Sequence, residues 1–307
     1  MNNFSLKHSF NSSLKTSILV LKLIIPMYIL AEILFYYNIL SYISFIVEPI
    51  TSIIGLPPEA ALSIISGLFL SEYAAVAFAA PLDLSVHQWS ILAVFTGVAH
   101  ALLVEGMIMK KIGISNFYSY SIRIGFAFIL AYITYLMPES WFASDIFSFA
   151  QEKISYTQYA NIFELLETSF VNAFILCFKV ILLVSIIIFI LDFIKTRSFI
   201  NPESNKVSKW YSMGTGYILG ITYGAGVLIN EAKSGNMSRS DIFYVSTFLL
   251  ICHAIIEDTL LFVILGANFT MVVLIRTVAA IIIAYFMLFL YDRFQVVQKA
   301  SNCKSSI

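Results

Sequence analysis

The sequence predicts an all-α polytopic membrane protein built from two inverted repeats. Each repeat is expected to hold a scaffold helix, an interfacial helix, a re-entrant helical hairpin and two further transmembrane helices. Three observations lead there: the composition, an internal repeat, and the placement of the loop cations. Of the 307 residues, 60% are hydrophobic and only 12% are charged. Mean hydropathy is +0.89. A water-exposed surface needs far more charge to cover its core, so soluble folds are excluded. The 18 Lys and Arg balance 18 Asp and Glu, whereas a nucleic-acid binder would carry a basic excess. Cys177, Cys252 and Cys303 form no CxxC pair, which argues against a disulfide framework or a zinc knuckle. The chain contains neither GxxxxGK[ST] nor GxGxxG, so no nucleotide or dinucleotide cofactor is expected.

Apolar runs fall at about 17–38, 39–54, 58–80, 86–112, 117–137, 169–193, 209–230, 239–265 and 270–291. The first follows Lys7 and Lys15, as in a signal peptide. Lys22 interrupts it, it continues past Glu32, and no small-x-small cleavage site is evident, so it reads as an uncleaved helix. Residues 1–16 are expected to lie along the membrane surface with Phe4, Phe10 and Leu14 toward lipid. The one long polar connection, 139–168, sets Glu139, Asp145, Glu152, Glu164 and Glu167 against Lys153. It divides the chain into a first repeat at 1–138 and a second at 169–292, with a tail at 293–307.

The repeat emerges when the chain is slid by 153 residues, which aligns 67–136 with 220–289 without a gap. The rare residues of an apolar sequence coincide: Gly67 with Gly220, Ser85 with Ser238, His100 with His253, Ala101 with Ala254, Gly113 with Gly266 and Arg123 with Arg276. Glu105 meets Asp258, which preserves charge. Ser85 with Gln88 and Ser238 with Asp241 resemble capping boxes that open a helix. Gly113 and Gly266 suit the left-handed residue that closes one. The enclosed segments, 86–112 and 239–265, would each be about 40 Å long as α-helix. That exceeds a hydrocarbon core of about 30 Å, so each is expected to be tilted or broken.

Cations decide the topology. If 39–54 lies at the interface and 58–80 and 209–232 are re-entrant hairpins, one side collects Lys7, Lys15, Lys110, Lys111, Lys195, Arg197, Lys206, Lys209, Lys233, Arg239, Arg293, Lys299 and Lys304. Only Lys153 falls on the other. By the positive-inside rule both termini are then cytoplasmic, in an inner (cytoplasmic) membrane, and the 139–168 connection is extracytoplasmic. Each half crosses three times, so the halves are inverted, the plan of many transporters with a site at the midplane between repeats.

Gly55-Leu56-Pro57-Pro58-Glu59-Ala60, the small-residue hairpin after it, Ala99-His100-Ala101-Leu102-Leu103-Val104-Glu105, Gly113 and Cys252-His253-Ala254-Ile255-Ile256-Glu257-Asp258 together resemble the Gate, or nucleoside-recognition, family. Such domains occur in concentrative nucleoside transporters, the ferrous-iron transport permease and spore maturation proteins. The resemblance implies an interfacial helix, hairpin and broken helix in each half. The sequence carries neither the permease's GTPase domain nor the extra scaffold helices of the nucleoside transporters, so it does not imply a nucleoside cargo.

Ionisable residues at membrane depth mark function by default. His100 and His253 fall near mid-helix. Glu257 shares the face of His253, four residues on. Glu105 and Asp258 follow their histidines by five and join the same site only if the helix is broken. Glu72 and the hairpin residues Gly220, Tyr223 and Asn230 complete the candidate substrate site, with Ser66, Ser71, Gly214, Gly216, Gly224 and Gly226 around the tips. If a metal binds, His100, His253 and Glu257 are its expected ligands. Arg123 and Arg276 read as snorkelling anchors or salt-bridge partners, and Lys22, Lys179 and Glu32 as intramembrane pairs. The function expected is transport of a small solute or ion by alternating access, with a divalent cation and a nucleoside or other small solute both open. A non-transporting accessory or assembly protein is the alternative. Catalysis lacks a nucleophile or metal-hydrolase motif. The expected partners are the bilayer, a small solute or cation, and, left open, a second copy or a membrane partner; nucleic acid is not among them.

Overall fold

A computed structural model describes residues 5–42, 44–145, 159–196, 209–221, 224, 226, 228–229 and 237–304. Among these, all regular structure is helical. The elements are α1 (Leu6–Tyr36), α2 (Ser44–Ile53), α3 (Ala60–Phe69), α4 (Glu72–Ala79), α5 (Val86–Val98), α6 (Leu102–Ile112), α7 (Asn116–Leu136), α8 (Ile162–Thr196), α9 (Lys209–Leu219), α10 (Arg239–Ile251), α11 (Ile255–Val263) and α12 (Phe269–Lys304). Short 3₁₀ turns occupy Ile39–Tyr42 and Glu139–Phe142.

Six stretches among the described residues are long and apolar enough to cross a membrane: Leu6–Tyr36, Val86–Ile112, Asn116–Leu136, Ile162–Phe193, Arg239–Val263 and Phe269–Arg293. Their outer faces are apolar. On α8, Phe170, Phe174, Phe178, Leu182, Ile186 and Ile190 are exposed at four-residue spacing. In water such a stripe would be an aggregation surface, and against lipid tails it is an ordinary one. The protein is therefore a multi-pass membrane protein.

The core lies around α5 and α10. Trp89 to Val98 are all buried, as are Val245 to Ile251. α7 packs on α5 and α12 on α10, while α11 lies against α5 and α10 against α7, so the halves interlock at the centre. The outer pair α1 and α8 run antiparallel: Ser9 donates to Asp192 at 2.8 Å and Ser13 to Ser185 at 2.6 Å. These bonds place residues 6–16 within the continuous helix α1, against α8, rather than in the separate surface-lying segment expected from sequence. Ser5 caps the helix locally, while Ser9 and Ser13 find carboxylate and hydroxyl partners far along the chain on α8.

α3 and α4 form the first hairpin, pinned where Ser63 donates to the Ala75 carbonyl at 2.7 Å. Its tip residues serve the backbone. Ser66 donates to the Ser63 carbonyl, and Ser71 caps α4. α9 is the short helix of the second half that precedes its long central segment, and Lys233 and the rest of 230–236 lie outside the described residues.

The expected start and stop signals act as predicted in the first half. Ser85 accepts from the Gln88 amide at 3.2 Å and Gln88 accepts from the Ser85 amide at 3.1 Å, closing a capping box. In the second half the box is only half made. Ser238 accepts from the Asp241 amide at 3.1 Å, but Asp241, one methylene shorter than a Gln, takes the Ser238 hydroxyl rather than its amide. Gly113 closes α6 at φ +98° and Gly266 sits at φ +121°, conformations that cost glycine little. The acidic connection docks on the other half: Asp145 accepts from the first amides of α12, at Phe269 and Thr270.

Candidate functional site

Both long central helices are broken, and at matching residues. Ala101 (φ 44°, ψ 39°) separates α5 from α6, and Ala254 (φ 44°, ψ 36°) separates α10 from α11. A left-handed alanine costs about 1–2 kcal/mol, because its Cβ crowds the following carbonyl. Strain of this kind persists only where the surroundings enforce it. Here α3 holds the first break open and α9 the second. The Ala101 amide donates to the Gly67 carbonyl of α3 at 2.8 Å, and the Ala254 amide to the Gly216 carbonyl of α9 at 3.3 Å. The acceptor in the second half is Gly216, one turn before the Gly220 that the sequence repeat aligns with Gly67. Gly220 lies at φ +90°, where an added Cβ would meet the Ala254 Cβ at 3.4 Å.

Breaking a helix exposes carbonyls at one new end and amides at the other, inside the membrane. The carbonyl ends carry partial negative charge and attract cations. Arg123 on α7 donates through Nε to the Val98 carbonyl at 2.7 Å. Arg276 on α12 donates to the Gly97 carbonyl of the other half and to the His253 carbonyl at 3.2 Å. Gly97 has to lack a side chain here, since a Cβ would come within 2.6 Å of the Arg276 Cζ. The amide ends carry acids: Glu105 in the first turn of α6, Glu257 and Asp258 in the first turn of α11. Each fully buried guanidinium meets one of them. Arg123 Nη1 stands 2.7 Å from Glu105 Oε2, a close ion pair rather than an aligned hydrogen bond. Arg276 Nη2 stands 3.2 Å from Asp258 Oδ2. Of the two roles expected for these arginines, the salt bridge to a carboxylate is the one the structure shows, and it places both at the helix breaks rather than at the membrane surface. Their coincidence at the repeat spacing was the available signal that they belong to the centre.

The histidines stand at the two breaks with ring centroids 5.1 Å apart. Each Nδ1 bonds a carbonyl of its own helix: His100 to Thr96 at 2.9 Å and His253 to Leu249 at 2.8 Å. A carbonyl only accepts, so both Nδ1 atoms carry hydrogen. Both Nε2 atoms then converge on one oxygen, Glu105 Oε1, at 3.0 Å from His100 and 3.2 Å from His253. Glu72, at the start of α4, reaches within 3.2 Å of His100 Nδ1. Thus His100, His253, Glu105, Asp258 and Glu72 come together, all buried.

Glu257, expected beside His253, instead accepts from the Tyr73 hydroxyl at 3.0 Å. The carboxylate that meets both histidines is Glu105. The left-handed residue before α6 resets the angular register that a continuous helix would have had. Among the described residues two groups of possible metal donors result, His100 with Glu105 and His253, and Glu72 with His100 and Asp258. Within each group the donor atoms lie within 4.8 Å of one another. Tyr223 and Asn230 lie outside the described residues.

A sequence model of the Gate family, described as nucleoside recognition, matches residues 17–181, more than half of the chain. The chain belongs to the Gate nucleoside-recognition family. The matched span holds the first hairpin and first broken helix, with Glu72, His100, Glu105 and Arg123 of the cluster. The chain is also similar to "Uncharacterized membrane protein YvoD" of Bacillus subtilis (strain 168), 27% identical over 273 residues. That alignment covers 85% of this chain and 87% of the relative, both halves included. No solved structure matches. As a Gate protein the chain combines a membrane-embedded bundle with an ionisable centre at its heart.

Proposed function

We propose that this Gate protein is a small cytoplasmic-membrane carrier that moves a small solute or ion by alternating access, with its cargo site at the two helix breaks. One observation carries the reading: two broken helices bring His100 and His253 to 5.1 Å from each other, among buried acids and arginines. Such a cluster at membrane depth is costly, and discontinuous helices whose ends face a polar site are the usual construction of a transporter centre. The halves act as inverted repeats. Antiparallel α1 and α8, the matched left-handed alanines and the reciprocal arginine pairs support this. With six crossings, Lys7, Lys110, Lys111, Lys209 and Arg239 share the side of both termini, the cytoplasm. The cargo would touch His100, His253, Glu105, Asp258 and Glu72, with Glu257 and Gly220 at the margin. Movement of the hairpins against α5–α6 and α10–α11 would expose the centre to each side in turn.

The test is flux in reconstituted vesicles. His100→Ala and His253→Ala should each abolish uptake while the protein still inserts and elutes as wild type. Uptake at the wild-type rate in both variants would remove the central site and leave the accessory or assembly role.

A further inference from the structure

Among the described residues, the donor atoms at the breaks define a ligand more closely than a solute site requires, and the definition rests on the carrier reading above. We infer that the cargo is a first-row divalent transition-metal ion, held by His100 Nε2, His253 Nε2 and Glu105 Oε1.

The tautomers come first. With both Nδ1 hydrogens committed to the Thr96 and Leu249 carbonyls, a neutral ring presents a lone pair at Nε2. Two such lone pairs and a carboxylate oxygen facing one another, at 3.0 and 3.2 Å, repel unless something positive lies between them. Protonating both rings would supply it. That would set two imidazolium rings 5.1 Å apart beside two buried guanidinium groups, with little water to screen them. A single cation lets both rings stay neutral.

Spacing fits as well. Ligands about 2.1 Å from a tetrahedral ion stand about 3.4 Å from one another, close to the two observed separations. The supporting bonds match those of a metal centre. Each imidazole is oriented by an Nδ1–H to a backbone carbonyl, and Glu105 is turned by Arg123, which holds Oε2 and leaves Oε1 free. Charge also agrees. Glu72, Glu105 and Asp258 outnumber Arg123 and Arg276, and half-buried Glu257 adds to the excess. Two nitrogen donors with a carboxylate favour zinc, iron, cobalt or manganese over magnesium or calcium. Three protein ligands leave a fourth position for water, unlike the closed four-ligand set of a structural zinc site.

The experiment uses the full-length protein in detergent, stripped with chelator and titrated with Co(II). Alongside it, vesicles carrying a zinc-sensitive dye inside are assayed for Zn(II) entry and for uridine uptake. Wild type should bind one Co(II) with the visible absorption of a tetrahedral nitrogen–oxygen site, displaced by Zn(II). His100→Gln with His253→Gln should weaken binding at least 100-fold, and Glu105→Gln at least 10-fold. Zn(II) protection of the wild-type histidines from diethylpyrocarbonate gives a second readout that does not depend on variants folding. Binding with zinc entry supports both the ion and carriage. Binding without entry supports the ion and overturns carriage. Uridine uptake that requires His100, without Co(II) binding, overturns the ion and leaves carriage. Absence of both overturns both, and Co(II) binding unchanged in the double variant overturns these ligands.

Discussion

Arg276 offers the sharpest test of how the breaks are held. It is fully buried and serves three acceptors: the Gly97 carbonyl, the His253 carbonyl and the Asp258 carboxylate. Arg276→Met keeps most of the apolar stem and removes the charge. Asp258, only 6% exposed, is then a buried carboxylate without its guanidinium. Removing one partner of a buried pair costs about 3–5 kcal/mol. Against a typical total of about 5–15 kcal/mol, that is a large fraction of the stability. Asp258→Asn alone leaves the opposite orphan. The double variant removes both charges, so its cost should fall short of the sum of the single costs by about 2 kcal/mol or more, within the range seen for coupled neighbours. Unfolding by SDS in mixed micelles, followed by the fluorescence of the 3 tryptophans, gives the four corners of the cycle. A cost below about 1 kcal/mol for Arg276→Met, or additivity within about 0.5 kcal/mol, would refute the assignment of the guanidinium as the clamp of the breaks.

Three other outcomes are expected. Ala101→Gly and Ala254→Gly should each raise stability by up to about 1 kcal/mol in the same assay, since the left-handed strain is relieved and glycine's unfolded-state entropy offsets part of the gain; Ala101→Val should lower it. Asp145→Ala removes the acceptor for the first amides of α12 and should cost about 1 kcal/mol, typical of a lost cap. In a background without native cysteines, cysteines placed at Lys111 and Lys233 should label from the same side of the membrane; opposite sides would sink the inverted arrangement.

Much of the fold was legible because the rare residues of this chain are informative. The six spans follow from apolar length, and Ser85 and Gly113 mark where one central segment begins and ends. The 40 Å length of that segment signalled that it had to tilt or break. The place of the break was not legible. Ala101 and Ala254 have no intrinsic preference for a left-handed conformation, and the carbonyls of Gly67 on α3 and Gly216 on α9 impose it. Sequence spacing put Glu257 beside His253 on the assumption of a continuous helix. The break redirects the following turn, sends Glu257 to Tyr73 and brings Glu105 across to both histidines. The packing of the start of α1 was not legible for a similar reason, since the partners of Ser9 and Ser13 are more than 170 residues away on α8.

By itself the sequence determined that this chain lives in a membrane, and it showed the spacing at which its rare ionisable residues recur within apolar segments. These follow from hydropathy and from the cost of charge in lipid, which act locally and leave their mark on composition. Only the tertiary structure decided which acid faces which histidine and which arginine closes each break. Those pairings depend on helix ends that exist only once α3 and α9 have packed against them.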